Sequence, residues 1–341
     1  MEKGRITIKD IAKRLGISKS TVSRALRNHP NVKAETRAAV QALATELDYE
    51  PDMVALSLLN RQSFTLGVVI PRIEFPYFSL AISGAQEVAS LAGYQLMICQ
   101  TNESLETEQS VVRTLVASRV DGLMLSISGE TDQFDHIAKL EKRGVPLVLF
   151  DRVFPGIQAP TVVMDNVKAG RIAAEHLLEQ GYKRIAHIAG PDTLMVSHQR
   201  IEGIRQAHRK LGMEWPDELI FHQGFRVEDG RAVVPDMLNL PTPPDAIIAV
   251  SDSAAIGAKL ALEERGISIP DQMGIIGFNN EQFTSYVKPE LSSISLPMHE
   301  MGRMATKLLL HQISYPNDPP QEPHRVLPPA LMARTSTARS R

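Results

Sequence analysis

Apolar residues recur at helical spacing near the start of the chain and predict a pair of short helices. The first apolar stripe consists of Ile8, Ile11, Ala12 and Leu15. Gly16 then provides the left-handed residue with which helices commonly end, and Ser18 can cap a second helix. A third helix is expected over 34–47, where Ala38, Leu43 and Leu47 are available to pack. The first 48 residues are therefore expected to form a small all-α head.

From Phe64 onward, short apolar runs alternate with stretches of helical period. The expected strands are Leu66–Ile70, Tyr94–Cys99, Gly122–Ser126, Pro146–Phe150, Arg184–Ala189, Ala246–Val250 and Met273–Gly277. The expected helices are Leu80–Leu91, Ser104–Ser118, Phe134–Lys142, Val167–Gln180, His198–Leu211 and Ser253–Arg265. Nearly continuous apolar strands, each followed by a helix, are typical of parallel sheets covered on both faces. The rhythm restarts near 162–165, which predicts an α/β body of two lobes.

The charge distribution separates the head from the body. The whole chain has a net charge of -2, but residues 1–62 contain 11 Lys and Arg against 7 Asp and Glu. The remainder is acidic, with 26 Lys and Arg against 32 Asp and Glu. A basic head on an acidic body is expected when one end of a protein contacts phosphate.

The second helix has an outer face made of hydroxyls and cations. Its members are Lys19, Ser20, Thr21, Ser23, Arg24 and Arg27. Hydroxyls can hold phosphates, while Lys and Arg can reach guanine in a major groove. The alternative is a solvated helical pair without DNA, but the cap, the glycine turn and the basic face together favour a helix-turn-helix.

The segment Thr7–Leu26 resembles the signature of the lac repressor family of bacterial transcription regulators. The match continues through Asn31-Val32, Glu35–Arg37 and Tyr49–Pro51, and more loosely to Arg334. The resemblance implies a DNA-binding head, a hinge helix and a two-lobed body similar to periplasmic sugar-binding proteins. Besides the outer-face residues above, it implies DNA contacts from Thr7, Ser18, Asn31, Ala55 and Leu58.

The resemblance assigns residues 49–62 to a hinge helix and linker. In the family this helix enters the minor groove, where the leucine matching Leu58 wedges between base steps and kinks the duplex. A linker helix lying on the body is the alternative. This chain has Asp52 where the family usually has Asn, and Leu56 where a polar or basic residue is common.

The family's chain crosses three times between its lobes, which sets the expected lobe boundaries. By resemblance, the first lobe comprises about residues 63–162 and 295–326. The second lobe comprises about 163–294 and 327–341. Together these form an effector-binding and dimerisation domain over 63–341.

Parallel sheets bind ligands beyond the carboxyl ends of their strands. This rule selects the segments 71–78, 126–128, 151–152, 190–191, 251–252 and 279–280. Carboxylates and amides beside the aromatic rings of Phe75, Tyr77 and Phe78 suit a sugar or nucleoside better than a lipid.

The family resemblance narrows the expected effector site. It assigns effector contacts to Tyr77, Phe78, Asp151, Arg200, Phe225, Ser251, Asp252, Asn279 and Met298. The strand-end rule adds Phe75 and Ser126 to the expected effector site. Arg200 belongs to the pattern R-x-x-G-x-x-x-A, in which the family's arginine grips effector hydroxyls or a carboxylate. Asn279 stands where the family often has Asp, and Met298 where a phenylalanine often closes the site.

Several of these residues have a plain structural alternative. Asp151 could cap the following turn, and Asp252 could cap the helix that begins at Ser253. Arg200 could be an ordinary surface cation. Trp215, in a helix-ending turn, is not assigned to the site.

Other classes of protein are poorly supported. Cys99, the single cysteine, excludes an intrachain disulfide and is expected to be a buried strand thiol. The ten histidines have no paired metal spacing, so no metal or cofactor is expected. A solute-binding protein would need an export signal, and none is visible in the sequence. An enzyme would need a catalytic motif, and the segment 190–192, which follows a strand, lacks the residues of a phosphate-binding loop. A bacterial cytoplasmic location without membrane contact is expected.

We therefore interpret the chain as a transcriptional repressor, not an enzyme. It is expected to bind a pseudo-palindromic operator as a homodimer under control of a sugar-like effector, or alternatively a nucleobase or nucleoside. Tetramers are not expected, because the C-terminal residues contain no leucine heptads.

Overall fold

The computed structural model describes residues 6–49, 62–156 and 158–339 and divides into two units, Met1–Ser63 and Phe64–Arg341. The expected hinge helix, with Asp52, Leu56 and the DNA contacts Ala55 and Leu58, lies outside the described residues. None of the helices in the described part of the chain is long and apolar enough to cross a membrane.

Three helices form the described part of the first unit: α1 (Ile8–Leu15), α2 (Lys19–Leu26) and α3 (Ala34–Glu46). Gly16 ends α1 with a φ of 65°, a left-handed conformation that glycine adopts without steric cost. The core is built from Ile11 and Ala12 on α1, Val22 and Ala25 on α2, and Val40 and Ala44 on α3. The small residues Ala12 and Ala25 let the first two helices approach closely.

The third helix packs through two of the three residues expected, Leu43 and Leu47, but not through Ala38. Ala38 is exposed, whereas Val40 and Ala44 are buried and Leu43 and Leu47 are half-buried. These four residues follow one another at helical spacing, and Ala38 lies off that stripe. The prediction that Ala38 packs in the core is therefore wrong.

The second unit contains twelve described strands. In chain order its elements are β1 (Thr65–Ile70), α4 (Pro76–Leu91), β2 (Gln95–Gln100), α5 (Leu105–Ala117), β3 (Gly122–Leu125), α6 (Asp135–Lys142), β4 (Leu147–Phe150), β5 (Thr161–Met164), α7 (Asn166–Glu179), β6 (Ile185–Ala189), α8 (Met195–Lys210), β7 (Ile220–His222), α9 (Val227–Leu238), β8 (Ala246–Ala249), α10 (Asp252–Glu263), β9 (Gly274–Asn279), β10 (Ser292–Ser295), α11 (Met298–Ser314), β11 (His324–Leu327) and β12 (Ala330–Met332). They form two six-stranded sheets.

The first-lobe sheet has the order β11-β5-β4-β3-β1-β2 and is parallel throughout. Its inner strands β1, β3 and β4 are buried on both faces because helices cover both. Val68 and Met124 pack in the cluster that includes α4 and α11, whereas Val69 and Leu123 pack in the cluster of α5 and α6. The period of two along each strand thus divides its side chains between two cores.

The second-lobe sheet has the order β12-β10-β9-β8-β6-β7, and only β12 runs antiparallel to its neighbour. The chain passes between the two sheets three times: between β5 and α7, between β10 and α11, and between β11 and β12. The predicted fold class, a helical head with a two-lobed, mainly parallel α/β body, is confirmed.

Three details differ from the sequence expectations. Helix α4 begins at Pro76 rather than Leu80, because proline suits the first turn of a helix, and Tyr77 and Phe78 therefore lie in that turn. Cys99 is only half-buried, since β2 is an edge strand with one flank uncovered in this unit. Helices α9 and α11 and strands β5, β7 and β10–β12 were not predicted from apolar periodicity.

Candidate functional site

The outer face of α2 is presented to solvent. Lys19, Ser20, Arg24 and Arg27 are exposed, and Thr21 and Ser23 are half-buried. Val22 and Ala25 on the opposite face are fully buried against α1 and α3. The helix therefore buries its apolar side and leaves hydroxyls and cations outward, as a helix placed in a major groove must.

Hydrogen bonds fix part of that face in place. The Ser18 hydroxyl accepts from the Thr21 backbone N–H at 3.1 Å and lies 2.8 Å from the Ser20 hydroxyl. The Arg27 guanidinium donates to the Ser23 hydroxyl at 2.8 Å. The side chains of Lys19 and Arg24 make no hydrogen bond or ion pair with other described residues, so their cationic heads are available to DNA.

The two remaining DNA-contact candidates in the head lie beside α2. Thr7 caps α1: its hydroxyl donates to Asp10 at 2.7 Å, and Asp10 also accepts from the Thr7 backbone N–H at 2.9 Å. The side-chain and backbone hydrogen bonds from Thr7 hold the pKa of Asp10 below its usual range. Asn31 is exposed in the loop between α2 and α3.

The inter-lobe cleft contains a small cavity of about 20 Å³. It is lined by Tyr77, Asp151, Arg152, Val196, Arg200, Phe225, Val250, Asn279 and Leu296. A neighbouring cavity of about 120 Å³ shares Asp151, Arg152 and Val196 with it. The smaller space holds roughly one water molecule, so the lobes are closed on each other.

Arg152 connects the two lobes. Its guanidinium donates to Glu103 Oε2 at 2.7 Å within the first lobe. The same group lies 4.7 Å from the centre of the Phe225 ring of the second lobe, a distance that permits a cation–π interaction. The Tyr77 hydroxyl lies 3.4 Å from the guanidinium. Sequence reasoning selected Arg152 as a strand-end residue but gave it no effector contact.

Asp151 and Asn279 end their strands in an unusual backbone conformation. Asp151 follows β4 with a φ of 60°, and Asn279 ends β9 with a φ of 104°. Residues other than glycine rarely have positive φ, and such residues cluster at functional sites. Burial raises the pKa of Asp151, although Arg152 and Arg200 oppose that shift.

Arg200 is buried, with 4% of its surface exposed, so the surface-cation alternative is wrong. It donates to the Asn166 side chain at 3.1 Å and to the Val250 carbonyl at 2.8 Å. Its guanidinium lies 4.0 Å from the centre of the Phe278 ring. Burial lowers the pKa of Arg200 to about 10, which still leaves it charged at neutral pH.

Ser251, rather than Asp252, caps α10. The Ser251 hydroxyl accepts from the Ala254 N–H at 3.0 Å and donates to the Phe225 carbonyl at 2.7 Å, which helps to hold the Phe225 loop. Asp252 is fully buried and accepts from Ser293 Oγ at 2.7 Å and from the Glu281 N–H at 2.8 Å. Both partners are in the second lobe, and Asp252 does not line the cavities described above.

The other candidates, Phe75, Phe78, Ser126 and Met298, do not line either of these cavities. Phe75 is half-buried, and its ring lies 6.2 Å from both the Tyr77 and Phe225 rings. Phe78 is fully buried beneath Tyr77. Ser126 is buried, and its hydroxyl has no hydrogen-bond partner among the described residues. Met298 is buried as the first residue of α11.

Some cavity residues carried no signal in the sequence. Val196 and Leu296 line the cavity, but apolar residues in a loop or first helical turn do not mark a site. Glu103, which pairs with Arg152, lies after β2 outside the segments selected by the strand-end rule. Trp215 is buried in the second-lobe core and donates to the Ile185 carbonyl at 2.7 Å, away from the cleft.

The chain is similar to known proteins over almost its whole length. Residues 7–52 match the lacI family of bacterial regulatory proteins, and residues 63–334 match the periplasmic binding proteins and sugar binding domain of the LacI family. The transcriptional repressor CytR of Escherichia coli (strain K12) is 34% identical over 90% of this chain and 89% of its own length. The ribose operon repressor of Halalkalibacterium halodurans is 32% identical over 97% of each chain. A solved structure of the lac repressor dimer, bound to operator and the anti-inducer ONPF, is 25% identical, with a TM-score of 0.87 over 98% of this chain and 99% of that chain.

Proposed function

The chain belongs to the lacI family of bacterial regulatory proteins, and from this membership we propose that it acts as a homodimer on a pseudo-palindromic operator. Its curated relatives are transcriptional repressors. It is accordingly a repressor with a DNA-binding head and an effector-binding body, not an enzyme. Its operator places its site of action in the bacterial cytoplasm, at the nucleoid.

Operator binding is supported by the outer face of α2. Lys19 and Arg24 are exposed cations without partners among the described residues, and hydroxyl groups lie between them. Cations of this kind can read guanine edges, whereas the hydroxyls hold the phosphate backbone. Thr7 and Asn31 would add contacts from the elements that flank α2.

Effector control is supported above all by the charged groups that meet in the closed cleft. Asp151 and Arg152 come from the first lobe and Arg200 from the second, and all three line one cavity. A carboxylate and two guanidinium groups can accept from and donate to several hydroxyls at once. The ring of Phe225 adds an apolar face, so the site suits a small sugar or sugar derivative.

A sugar cannot occupy the cleft in this closed form. The cavity of about 20 Å³ is far smaller than the several hundred Å³ typical of ligand pockets. Entry therefore requires the lobes to separate and then to close around the effector. Effector binding changes operator affinity only if the DNA-competent and DNA-incompetent states of the protein bind the effector with different affinities.

A nucleobase or nucleoside is the second candidate, and the aromatic residues favour it. Phe75 and Tyr77 are stacked with an interplanar angle of 13°, and Phe225 faces Phe75 from the other lobe. A flat base could stack between these rings when the lobes open. The same cleft would bind the ribose hydroxyls through Asp151 and Arg200.

Homodimer formation is supported by an apolar surface on the first lobe. We name this surface the β2 patch; it comprises Leu80 and Leu91 on α4 and Ile98 on the edge strand β2, which pairs with Val68 and so lies on the face of the sheet that α4 covers. Leu91 is 85% exposed and Ile98 is 40% exposed. Soluble proteins usually cover such patches and protect their sheet edges, and a second copy of the chain would do both.

The first test is selection of bound duplexes from a random DNA pool by the full-length protein. An enriched palindrome is expected, with a flexible pyrimidine–purine step at its centre if the hinge segment kinks the duplex. Enrichment of half-sites alone would contradict the hinge role of Leu58. No enrichment at moderate salt, with or without a panel of sugars and nucleosides, would overturn the proposal.

The selected duplex then serves as the probe for the effector. Each sugar or nucleoside of the panel is tested for a change in operator affinity and for a rise in melting temperature. A ligand at one hundred times its Kd should stabilise the folded protein by about 2.7 kcal/mol. A response to nucleosides but not to free sugars would favour the second candidate.

The dimer is tested by sedimentation of an Ile98→Glu variant. The charge should raise the dimer dissociation constant at least tenfold, because it would be buried in the β2 patch. Leu211→Glu is the matched control, since Leu211 is 59% exposed on the second lobe outside the patch. Equal dissociation constants for the two variants would exclude the β2 patch as the interface.

A further inference from the structure

A second concave surface lies in the first lobe between α5 and α6. It has a volume of about 580 Å³, within the range of small-molecule sites. Its floor is apolar and includes Val112, Val116 and Leu140. These residues belong to the core cluster of α5 and α6, on the face of the sheet opposite α4 and α11. The groove therefore has a fixed apolar base that does not depend on closure of the lobes.

The rim of the groove is cationic. Arg113 on α5, Lys139 on α6 and Arg143 at the end of α6 all line it and are exposed. None of the three makes an ion pair with another residue in the described part of the chain. Asp135 is the one carboxylate among the described lining residues. Three cations above an apolar floor complement a molecule with an anionic head and an apolar body.

His136 forms part of one wall of the groove and is paired with the buried Glu108. His136 Nε2 lies 2.8 Å from Glu108 Oε1, and the two side chains are 9% and 0% exposed. His136 Nδ1 is buried and has no hydrogen-bond partner among the described residues. A buried ring nitrogen without a partner is costly, so this position is unusual for a side chain that serves folding alone.

The wall is held rigidly in this position. Glu108 Oε2 accepts from the Ser128 backbone N–H at 2.6 Å and from the Thr131 hydroxyl at 3.1 Å. The carboxylate is thereby fixed by three hydrogen bonds from α6 and from the loop after β3. Because the pair is preorganised, a ligand would lose little affinity in ordering it.

We propose that the groove between α5 and α6 is a second small-molecule site, which binds an anion with an apolar body. The anionic head lies at Arg113, Lys139 and Arg143, and the body lies on Val112, Val116 and Leu140. The body also lies against His136, which lines the same groove. The site is separate from the inter-lobe cleft and does not rest on the function proposed for that cleft.

The test is titration calorimetry of the full-length protein with phenyl phosphate and with octanoate. Inorganic phosphate and benzyl alcohol are the controls, since each carries only one half of the proposed ligand. Either amphipathic anion should bind at least tenfold more tightly than both controls, and the two anions distinguish a phosphate from a carboxylate head. Equal binding of inorganic phosphate or of benzyl alcohol, or no binding of either anion, would overturn the proposal.

Two charge-reversal variants locate the site. Lys139→Glu should weaken binding of the anion roughly tenfold, because an attraction near the surface becomes a repulsion. Lys142→Glu is the matched control, because Lys142 is exposed on the same helix but does not line the groove. The affinity of this control variant for the anion should differ from that of the parent protein by less than twofold. Equal effects of the two variants would indicate general charge attraction and contradict the proposal.

A direct observation comes from the ring nitrogens of His136. In a long-range proton–nitrogen spectrum, the signal that disappears in His136→Gln identifies this ring. Addition of the binding anion should shift that signal, while the signals of the other histidines stay in place. An unchanged His136 signal at saturation would place the ligand elsewhere.

Discussion

Replacement of Arg152 by methionine should destabilise the effector-binding body and loosen its closed form. The Arg152 side chain is 2% exposed, and its partner Glu103 is 22% exposed. Breaking a buried pair by removing one partner costs about 3–5 kcal/mol, and partial exposure of Glu103 reduces this figure because water can reach the freed carboxylate. Loss of the cation–π contact with Phe225 adds about 1 kcal/mol, which the apolar surface of methionine offsets in part.

The net loss worked from these contacts is about 3 kcal/mol. For a domain of this size it corresponds to a fall in melting temperature of roughly 6–10 °C. Arg152→Lys should lose less stability than Arg152→Met, since an ammonium group keeps the charge beside Glu103 but lacks the flat face that lies on Phe225. The assay is thermal unfolding followed by circular dichroism, with small-angle scattering to measure separation of the lobes.

The matched control is Arg325→Met. Arg325 is 43% exposed in the same lobe and pairs with Glu322, which is 65% exposed. An exposed pair of this kind contributes about 0–1 kcal/mol, so the control should melt within about 2 °C of the parent protein. A double-mutant cycle between Arg152 and Glu103 should show a coupling of roughly 1.5–3 kcal/mol. If Arg152→Met melts like Arg325→Met and scatters like the parent, Arg152 does not hold the lobes together.

Three further predictions concern the head, the cleft and the dependence on pH. Lys19→Ala should relax base preference at particular operator positions, whereas the control Lys13→Ala on α1 should not. The measurement is selection of bound duplexes by each variant, and equal weakening at every operator position would make Lys19 a phosphate contact instead. Asp151→Asn should leave operator affinity intact and abolish the effector response in an operator-binding titration, and unchanged effector affinity would remove Asp151 from the site. Burial lowers the pKa of His187 to about 4 from its ordinary 6.5, so the folded protein keeps the ring neutral. The folding stability that depends on this neutral ring is present above about pH 6.5 and is lost as the pH falls toward 4. His187→Gln should therefore reduce the fall in melting temperature between pH 6.5 and pH 4. An identical dependence of melting temperature on pH in the variant and the parent protein would contradict this role of His187.

Periodicity was sufficient to predict the lobes because both sheets are mostly buried and parallel. A strand such as β8 is apolar along its whole length, so its sequence differs from the helices on either side. The same criterion missed β7 and β12, the two edge strands of the second-lobe sheet, which have three residues each. A run of three residues is too short for its apolar pattern to distinguish a strand from a loop.

The strand-end rule located the cleft but could not show which side chains meet there. Arg152 follows β4 and was selected, yet its partners Glu103 and Phe225 come from different elements and different lobes. Asp252 was also selected, but its carboxylate turns toward Ser293 inside the second lobe. A rule based on strand ends specifies an edge of the sheet, whereas side-chain direction depends on contacts far away in sequence.

The position of Arg200 shows how a packing requirement and a binding motif can be one feature. A Cβ atom on Gly203 would lie 2.0 Å from the Val167 carbonyl oxygen, and one on Gly170 would lie 2.2 Å from the Arg200 carbonyl oxygen. Both contacts are shorter than real Cβ atoms allow, so glycine at these two positions lets α7 and α8 approach closely. That approach brings the Asn166 side chain of α7 within 3.1 Å of Arg200 Nε. The glycine three residues after Arg200 is visible in the sequence, but its counterpart on α7 is recognised only when the two helices are placed together. The spacing R-x-x-G is thus a helix-packing motif with the cleft arginine at one end, and loss of the glycine would displace the arginine.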